Sequence, residues 1–153
     1  MISEHLAVAL RDAGLRWTPA PGDRFVIPQP ELAGSVFTLS EMTIEAHEYP
    51  TGTILGFNGT TEWALDSVAK DEALWLPRED QLRELLGATF RSLRREDQDV
   101  AEASGDAAPV SYVVTTRAAS GEEREFRARS APDALGEALL ALVRHAMADA
   151  RAS

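Results

Sequence analysis

The sequence predicts an α+β fold in which an antiparallel sheet of short strands is packed on one face by N-terminal, middle and C-terminal helices. Apolar residues recur at helical spacing near both ends and once in the middle. Short alternating stretches bounded by turn residues lie between them. The 153 residues, 44% hydrophobic and 26% charged, suit one globular domain. We therefore predict a single domain that spans residues 1–153.

Three helices are expected. Ser3 should begin the first, because its hydroxyl can accept a backbone N–H, and Gly14 should end it. Pro77 suits the first position of the middle helix, where a missing N–H costs nothing, and Gly87 should close that helix. Ser130 or Asp133 should begin the last helix. The three apolar stripes are Leu6, Leu10 and Ala13; Leu82, Leu85 and Leu86; and Leu135, Leu139, Leu142, Val143 and Met147.

The strands are predicted from alternation and from flanking turn residues. In the stretch 42–49, Ile44 and Ala46 fall on one side and His47 on the other. The stretch 61–68 fits either a strand or a helical turn, and we prefer the turn. A second helical turn is expected at 71–76, and an acidic, small-residue loop, expected to be mobile, at 96–109. The predicted strands are 23–27, 36–39, 42–49, 53–57, 89–93, 110–117 and 122–129.

The charge of the chain limits its partners. A net charge of -10 and a pI near 4.7 argue against nucleic acid, because such a binder needs a basic face to displace counterions. They argue equally against anionic membrane surfaces. A basic protein partner, or simple solubility, fits this charge.

The chain lacks the residues and motifs that several common kinds of site require. The chain has no cysteine, which excludes disulfides and thiolate sites. Its histidines, His5, His47 and His145, are far apart and show no metal-ligand spacing, so we expect no metal. Phosphate-binding glycine loops and the GxSxG motif are absent, and we expect no cofactor.

The N-terminus suggests a compartment. It carries Glu4 and Asp12 and lacks a basic segment followed by a long apolar run, so we expect no signal peptide and a cytoplasmic protein. Lys70 is the single lysine among many arginines, and alanine is abundant, which is typical of a high-GC genome.

Two sets of side chains are candidates for function. Glu62 and Asp66 are candidate catalytic residues, because paired carboxylates can act as general acid and general base. With 25 acidic residues in the chain, such pairs also arise by chance. Trp63, Trp75 and Leu76 are candidate protein-binding residues, since tryptophan is enriched in interface hot spots. Core packing explains these three side chains as well, and we favour that explanation.

Three blocks of sequence resemble a known family. GDRFVIP (22–28), FNGTTEWALDSV (57–68) and ALWLPREDQLRELLG (73–87) are similar to blocks in small actinobacterial proteins of unknown function. The opening ISEHLAVALRDAGLRW is also similar. Some members carry the label pilus assembly protein, but an assembly ATPase would need a phosphate-binding loop. The resemblance therefore implies a shared fold and supplies no catalytic residues.

These observations lead to three hypotheses of function. The first is a non-enzymatic, cytoplasmic protein-binding module, with a homodimer as one form. The second is a small hydrolase or transferase that uses Glu62 and Asp66. The third is an acidic antitoxin or immunity-type protein that neutralises a basic partner.

Overall fold

The computed structural model describes residues 1–40, 44–57, 67–97 and 110–153, and it has an α+β fold, as predicted. All strand pairs within these residues are antiparallel, and the strands form three three-stranded sheets. The helices are α1 (Glu4–Ala13), α2 (Glu79–Leu86) and α3 (Ala131–Ala152). The strands are β1 (Arg24–Val26), β2 (Val36–Thr38), β3 (Ile44–Tyr49), β4 (Gly52–Phe57), β5 (Ser67–Ala69), β6 (Leu74–Leu76), β7 (Phe90–Asp97), β8 (Val110–Arg117) and β9 (Glu123–Ala128).

The chain separates into two compact units. One comprises Met1–Leu15 and Arg78–Ser153, and we call it the three-helix unit. The other comprises Arg16–Pro77, and we call it the six-strand unit. The expectation of one domain over residues 1–153 stays a prediction.

In the three-helix unit, α3 is the central element. It packs on β8 and β9, while α1 and α2 pack against α3. Leu135 and Leu139 are buried, as the predicted stripe requires, whereas Met147 is 40% exposed. Gly136 lets α1 approach closely, because a Cβ there would lie 2.6 Å from Leu6 Cδ2. The strand order in this unit is β7-β8-β9, so β8 is the central strand.

The first helix begins after Ser3 as predicted, but the capping bond expected there and the predicted start of the middle helix need correction. Ser3 is the N-cap of α1, but its hydroxyl makes no capping hydrogen bond. Pro77 lies before α2 and not in its first position; Arg78 is the N-cap, and its backbone N–H donates to Gln81 Oε1 at 3.0 Å. Leu85, predicted to face the interior, is 41% exposed. In so short a helix, Leu82 and Leu86 alone supply the buried side.

In the six-strand unit, two sheets contribute to one apolar core. Their strand orders are β2-β1-β6 and β3-β4-β5. Phe25 is paired with Phe37 on one side and with Trp75 on the other, so these rings share a face. On the second sheet Ala46, Leu55 and Val68 are in register on one face, as the alternation predicted for Ala46. The core cluster comprises Trp17, Phe25, Ile27, Phe37, Leu39, Leu55, Val68 and Ala73.

Three predicted segments differ from the structure or lie outside it. The expected helical turn at 71–76 is a short 3-10 turn at Lys70–Glu72 followed by β6, because Leu74 and Leu76 pair with β1. Strand β7 continues through Asp97, two residues into the predicted loop, and positions 98–109 lie outside the described residues. Positions 61–66 also lie outside them, while Ser67 and Val68 belong to β5.

Candidate functional site

The residues singled out from the sequence are only partly placed. Glu62, Trp63 and Asp66 lie outside the described residues, so their roles stay predictions. Leu76 is 1% exposed and offers no surface to a partner. Trp75 is half-buried and packs against the core of the six-strand unit. Core packing therefore explains both Trp75 and Leu76, as favoured from the sequence.

Trp75 belongs to an aromatic stack anchored by a buried carboxylate. Its ring lies 6.3 Å from that of Trp17, with 6° between the planes. Trp17 Nε1 donates to Asp23 Oδ2 at 2.8 Å, and Ala20 N donates to the same oxygen at 3.0 Å. Asp23 is 2% exposed, and Lys70 Nζ donates to the carbonyl of Trp17 at 3.2 Å. These bonds fix the Pro-rich connection 17–23 on the core, which is a structural role.

The three-helix unit contains a cleft that the sequence did not predict. It lies between α3 and the end of the β8–β9 hairpin, and we call it the hairpin cleft. Its volume is about 250 Å³, below the range of about 300–1,000 Å³ that is usual for small-molecule sites. Its lining residues are Thr89, Thr116, Ala118, Ser120, Glu122, Arg124, Phe126, Ala138, Ala141, Leu142 and His145.

The lining of the hairpin cleft combines apolar and polar side chains. Phe126 from β9 and Leu142 from α3 are its large apolar side chains, and Ala118, Ala138 and Ala141 add small apolar ones. Arg124 Nε pairs with Glu122 Oε1 at 2.8 Å, and both side chains are exposed. His145 Nε2 lies 3.4 Å from Asp149 Oδ2, one helical turn further along α3. An apolar cleft with charged groups of both signs is typical of a site that receives a side chain from a protein partner.

The polar groups of the cleft do not form a preorganised catalytic set. The side chain of His145 is 74% exposed and that of Asp149 is 70% exposed, so water competes for their interaction. Ser120 Oγ accepts a long hydrogen bond, 3.4 Å, from the backbone N–H of Glu122. A nucleophile and base that act together are normally held by hydrogen bonds in a water-poor site. Across the described parts of the chain, no group of three His, Asp or Glu side chains is placed to hold a metal ion.

On the other face of the same sheet, two arginines and two glutamates form what we call the four-charge network. Arg94 contacts Glu96 at 3.0 Å and Glu125 at 2.7 Å. Arg127 contacts Glu96 at 2.6 Å and Glu125 at 2.9 Å. Val113 lies between Arg94 and Arg127 in register and is fully buried. The stems of long charged side chains can cover apolar surface while their heads stay in water, and the two arginines flank Val113 in this way.

The network perturbs the titration of its members. A hydrogen bond from Arg94 holds the pKa of Glu96 below its ordinary value, and a hydrogen bond from the same arginine lowers the pKa of Glu125. The two glutamates in turn raise the pKa of Arg94. On α2, the guanidinium of Arg78 lowers the pKa of Asp80. All of these groups are at the surface, where ion pairs fix side-chain positions more than they stabilise the fold.

Comparison with known proteins adds no family: no family model, curated protein or solved structure matches this chain. The resemblance of 22–28, 57–68 and 73–87 to small actinobacterial proteins stays a prediction. Within the part of the chain that is described, we find no helix that unites the length and the apolar character needed to cross a bilayer.

Proposed function

We propose that this chain is a non-enzymatic, cytoplasmic protein-binding module whose hairpin cleft receives an apolar side chain of a partner protein. The observation that carries the proposal is the lining of the cleft: Phe126 and Leu142 form an apolar surface beside the Arg124–Glu122 ion pair. Interface hot spots have this composition, in which an apolar anchor fills a pocket surrounded by polar groups.

The size of the cleft supports a side chain as its occupant. About 250 Å³ is below the usual range of about 300–1,000 Å³ for small-molecule sites, which also provide a few precisely placed polar groups. The hydrogen-bonding groups of the cleft are largely exposed, and exposed groups fix the orientation of a small ligand poorly. A protein partner does not depend on these groups alone, because its surface outside the cleft adds contact area.

The charge of the chain defines the partner further. With a net charge of -10, the protein attracts basic surfaces over long distances and repels acidic ones. We therefore expect a partner with a basic surface and an exposed aromatic or aliphatic side chain. An antitoxin or immunity protein that neutralises a basic protein would be one member of this class. The hydrolase hypothesis depends on Glu62 and Asp66, and nothing in the described residues adds support to it.

A comparison of two alanine variants on α3 tests the proposal. Ala141 lines the cleft, and Ala141→Glu places a charge in it. Ala148 is exposed on the same helix outside the cleft, so Ala148→Glu is the matched control with the same charge change. Tagged wild type and the A148E variant should retain the same basic protein from a lysate of the source cells, and A141E should lose it. Equal retention by all three chains, or retention of no basic protein, would contradict the proposal.

A further inference from the structure

Strand β9 has an open edge. It is the last strand in the order β7-β8-β9, and among the described residues it pairs with β8 alone. Ala118 N donates to the carbonyl of Glu122 at 2.9 Å, which closes the β8–β9 hairpin. Along a strand of an antiparallel pair, successive residues direct their backbone N–H and C=O groups alternately toward the partner strand and away from it. The bond to Glu122 therefore determines which residues of β9 direct these groups toward β8. Those are Arg124, Phe126 and Ala128, and the residues of β9 that direct N–H and C=O to the open edge are Glu123, Glu125 and Arg127; Arg129 follows just after the strand, which ends at Ala128.

The outward-directed residues carry an ordered set of charges. Two acidic residues, Glu123 and Glu125, precede two basic ones, Arg127 and Arg129, and all four are exposed. Side chains two apart in a strand share a face, so Glu123, Glu125 and Arg127 lie on one face of the sheet, and Arg129 follows directly after the strand. A second copy of the strand that runs antiparallel reverses this order. Its basic half then faces the acidic half of the first copy.

In one register of the two strands, opposite charges face each other and the backbone groups of the two open edges can form hydrogen bonds. With the two-fold axis at Phe126, Glu125 lies opposite the partner's Arg127 and Glu123 lies opposite the partner's Arg129. By symmetry each pair occurs twice, and opposite charges directly across two strands attract. An axis at Glu125 would place two glutamates opposite each other, and an axis at Arg127 would place two arginines opposite each other. Of the residues paired about Phe126, the three within β9 (Glu123, Glu125 and Arg127) are also those whose backbone groups face the open edge.

We propose that a second copy of this chain pairs with β9 along this edge, antiparallel and centred on Phe126, so that the two sheets become continuous. Charged residues on an edge strand normally prevent such pairing, but here their order makes the edge complementary to itself. Among the described residues Arg129 has no ion pair, and the pairing brings it to the partner's Glu123, whose carboxylate also contacts Arg117 of its own chain. The inference rests on the proposed function in that it makes a second copy one of the partners, but it uses the edge of β9 and not the hairpin cleft.

Charge reversal at the outer pair tests the register. Arg129→Glu places Glu123 opposite a second glutamate at both ends of the contact, and Glu123→Arg places two arginines there. Each variant alone should weaken the dimer roughly tenfold or more, since two attractive pairs become two repulsive ones. Mixed in equal amounts, the two variants should restore it, because every outer pair is again a Glu–Arg pair. Arg151→Glu, an exposed change of the same charge on α3, should leave the dimer unchanged.

The measurements are molecular mass by sedimentation and amide exchange in the wild type. Strand pairing alone buries little area, so we expect a weak dimer that appears as the concentration rises into the high-micromolar range. Its mass is twice the 16.6 kDa of one chain. In the wild type, the amides of Glu125 and Arg127 should exchange more slowly at high than at low concentration, a result that needs no variant. A monomer at all concentrations, a dimer insensitive to both variants, or exchange independent of concentration would overturn the inference. The A141E variant should still dimerise, so failure of the cleft and failure of the edge can be told apart.

Discussion

The backbone N–H of Ser3 donates to Asp133 Oδ1 at 2.7 Å, and this bond joins the N-cap of α1 to the first turn of α3. The backbone N–H of Asp133 in turn donates to Ser130 Oγ at 3.2 Å, which caps α3. One aspartate therefore connects the starts of two helices through a bond between residues that are 130 positions apart in sequence.

Removal of the Asp133 carboxylate should destabilise the three-helix unit. Asp133→Ala leaves the partly buried N–H of Ser3 without its acceptor, which should cost about 1–3 kcal/mol in free energy of unfolding. Asp133→Asn keeps a side-chain oxygen and should cost less. Denaturant titration measures both. Asp149→Ala, an exposed change on the same helix, should stay within about 0.5 kcal/mol. An equal effect of D133A and D149A would contradict the role of the bond.

Gly136 should not tolerate a methyl group. A Cβ at this position would lie 2.6 Å from Leu6 Cδ2 and 3.0 Å from Ile2 Cδ1, which forces α1 or its side chains to move. We expect Gly136→Ala to cost about 1–3 kcal/mol of stability, less a gain of about 1 kcal/mol in helix propensity. In a Leu6→Ala background the closest contact is removed and only that with Ile2 remains, so the same change should then cost clearly less. A double-mutant cycle with no coupling would show that α1 and α3 are not in close contact at Gly136.

The two leucines Leu139 and Leu85 should respond very differently to truncation. Leu139 is 2% exposed and Leu85 is 41% exposed. Leu139→Ala should therefore cost about 2–5 kcal/mol in free energy of unfolding. Leu85→Ala should cost less than about 0.5 kcal/mol, as is usual for surface changes. If the L139A variant lost less than about 0.5 kcal/mol in free energy of unfolding, the prediction that α3 buries this side chain would be wrong.

The four-charge network should make stability depend on pH in the acid range. The pKa values of Glu96 and Glu125 are lowered in the folded chain, so the unfolded chain binds protons first as the pH falls. Their contribution is fully present above the ordinary glutamate value of 4.5 and is lost as the pH falls through the lowered values. In the Glu96→Gln, Glu125→Gln variant, stability should therefore fall less steeply below that pH. Thermal melting at a series of pH values tests this. Glu84→Gln, without an ion pair among the described residues, is the control and should keep the wild-type slope.

Local patterns predicted the elements of the three-helix unit well. Strand β8 begins and ends where the alternation of 110–117 predicted, and Ser130 caps α3 through its hydroxyl as a serine before a helix commonly does. These features depend on residues close in sequence. Ser3 shows the limit of such reasoning: its residue type is right for a cap, but its backbone instead binds Asp133, a contact made only in the folded chain.

The hairpin cleft and the four-charge network could not be predicted from local patterns. The cleft requires Phe126 and Leu142 to face each other, which depends on how α3 lies on the hairpin. The network requires Arg94 and Glu125, 31 positions apart, to lie across the central strand. The charged residues of β9 were visible in the sequence, but their significance depended on knowing that β9 is at the edge of its sheet.

Photo-crosslinking from inside the hairpin cleft tests the central claim most directly. A photoreactive phenylalanine derivative replaces Leu142, which lines the cleft, and in a control chain it replaces the exposed Ala148 on the same helix. We predict that illumination in the source cells gives an adduct with a second, basic protein from position 142 and not from position 148. The absence of such an adduct from position 142 in a folded chain, or equal adducts from both positions, would contradict a protein-binding role for the cleft.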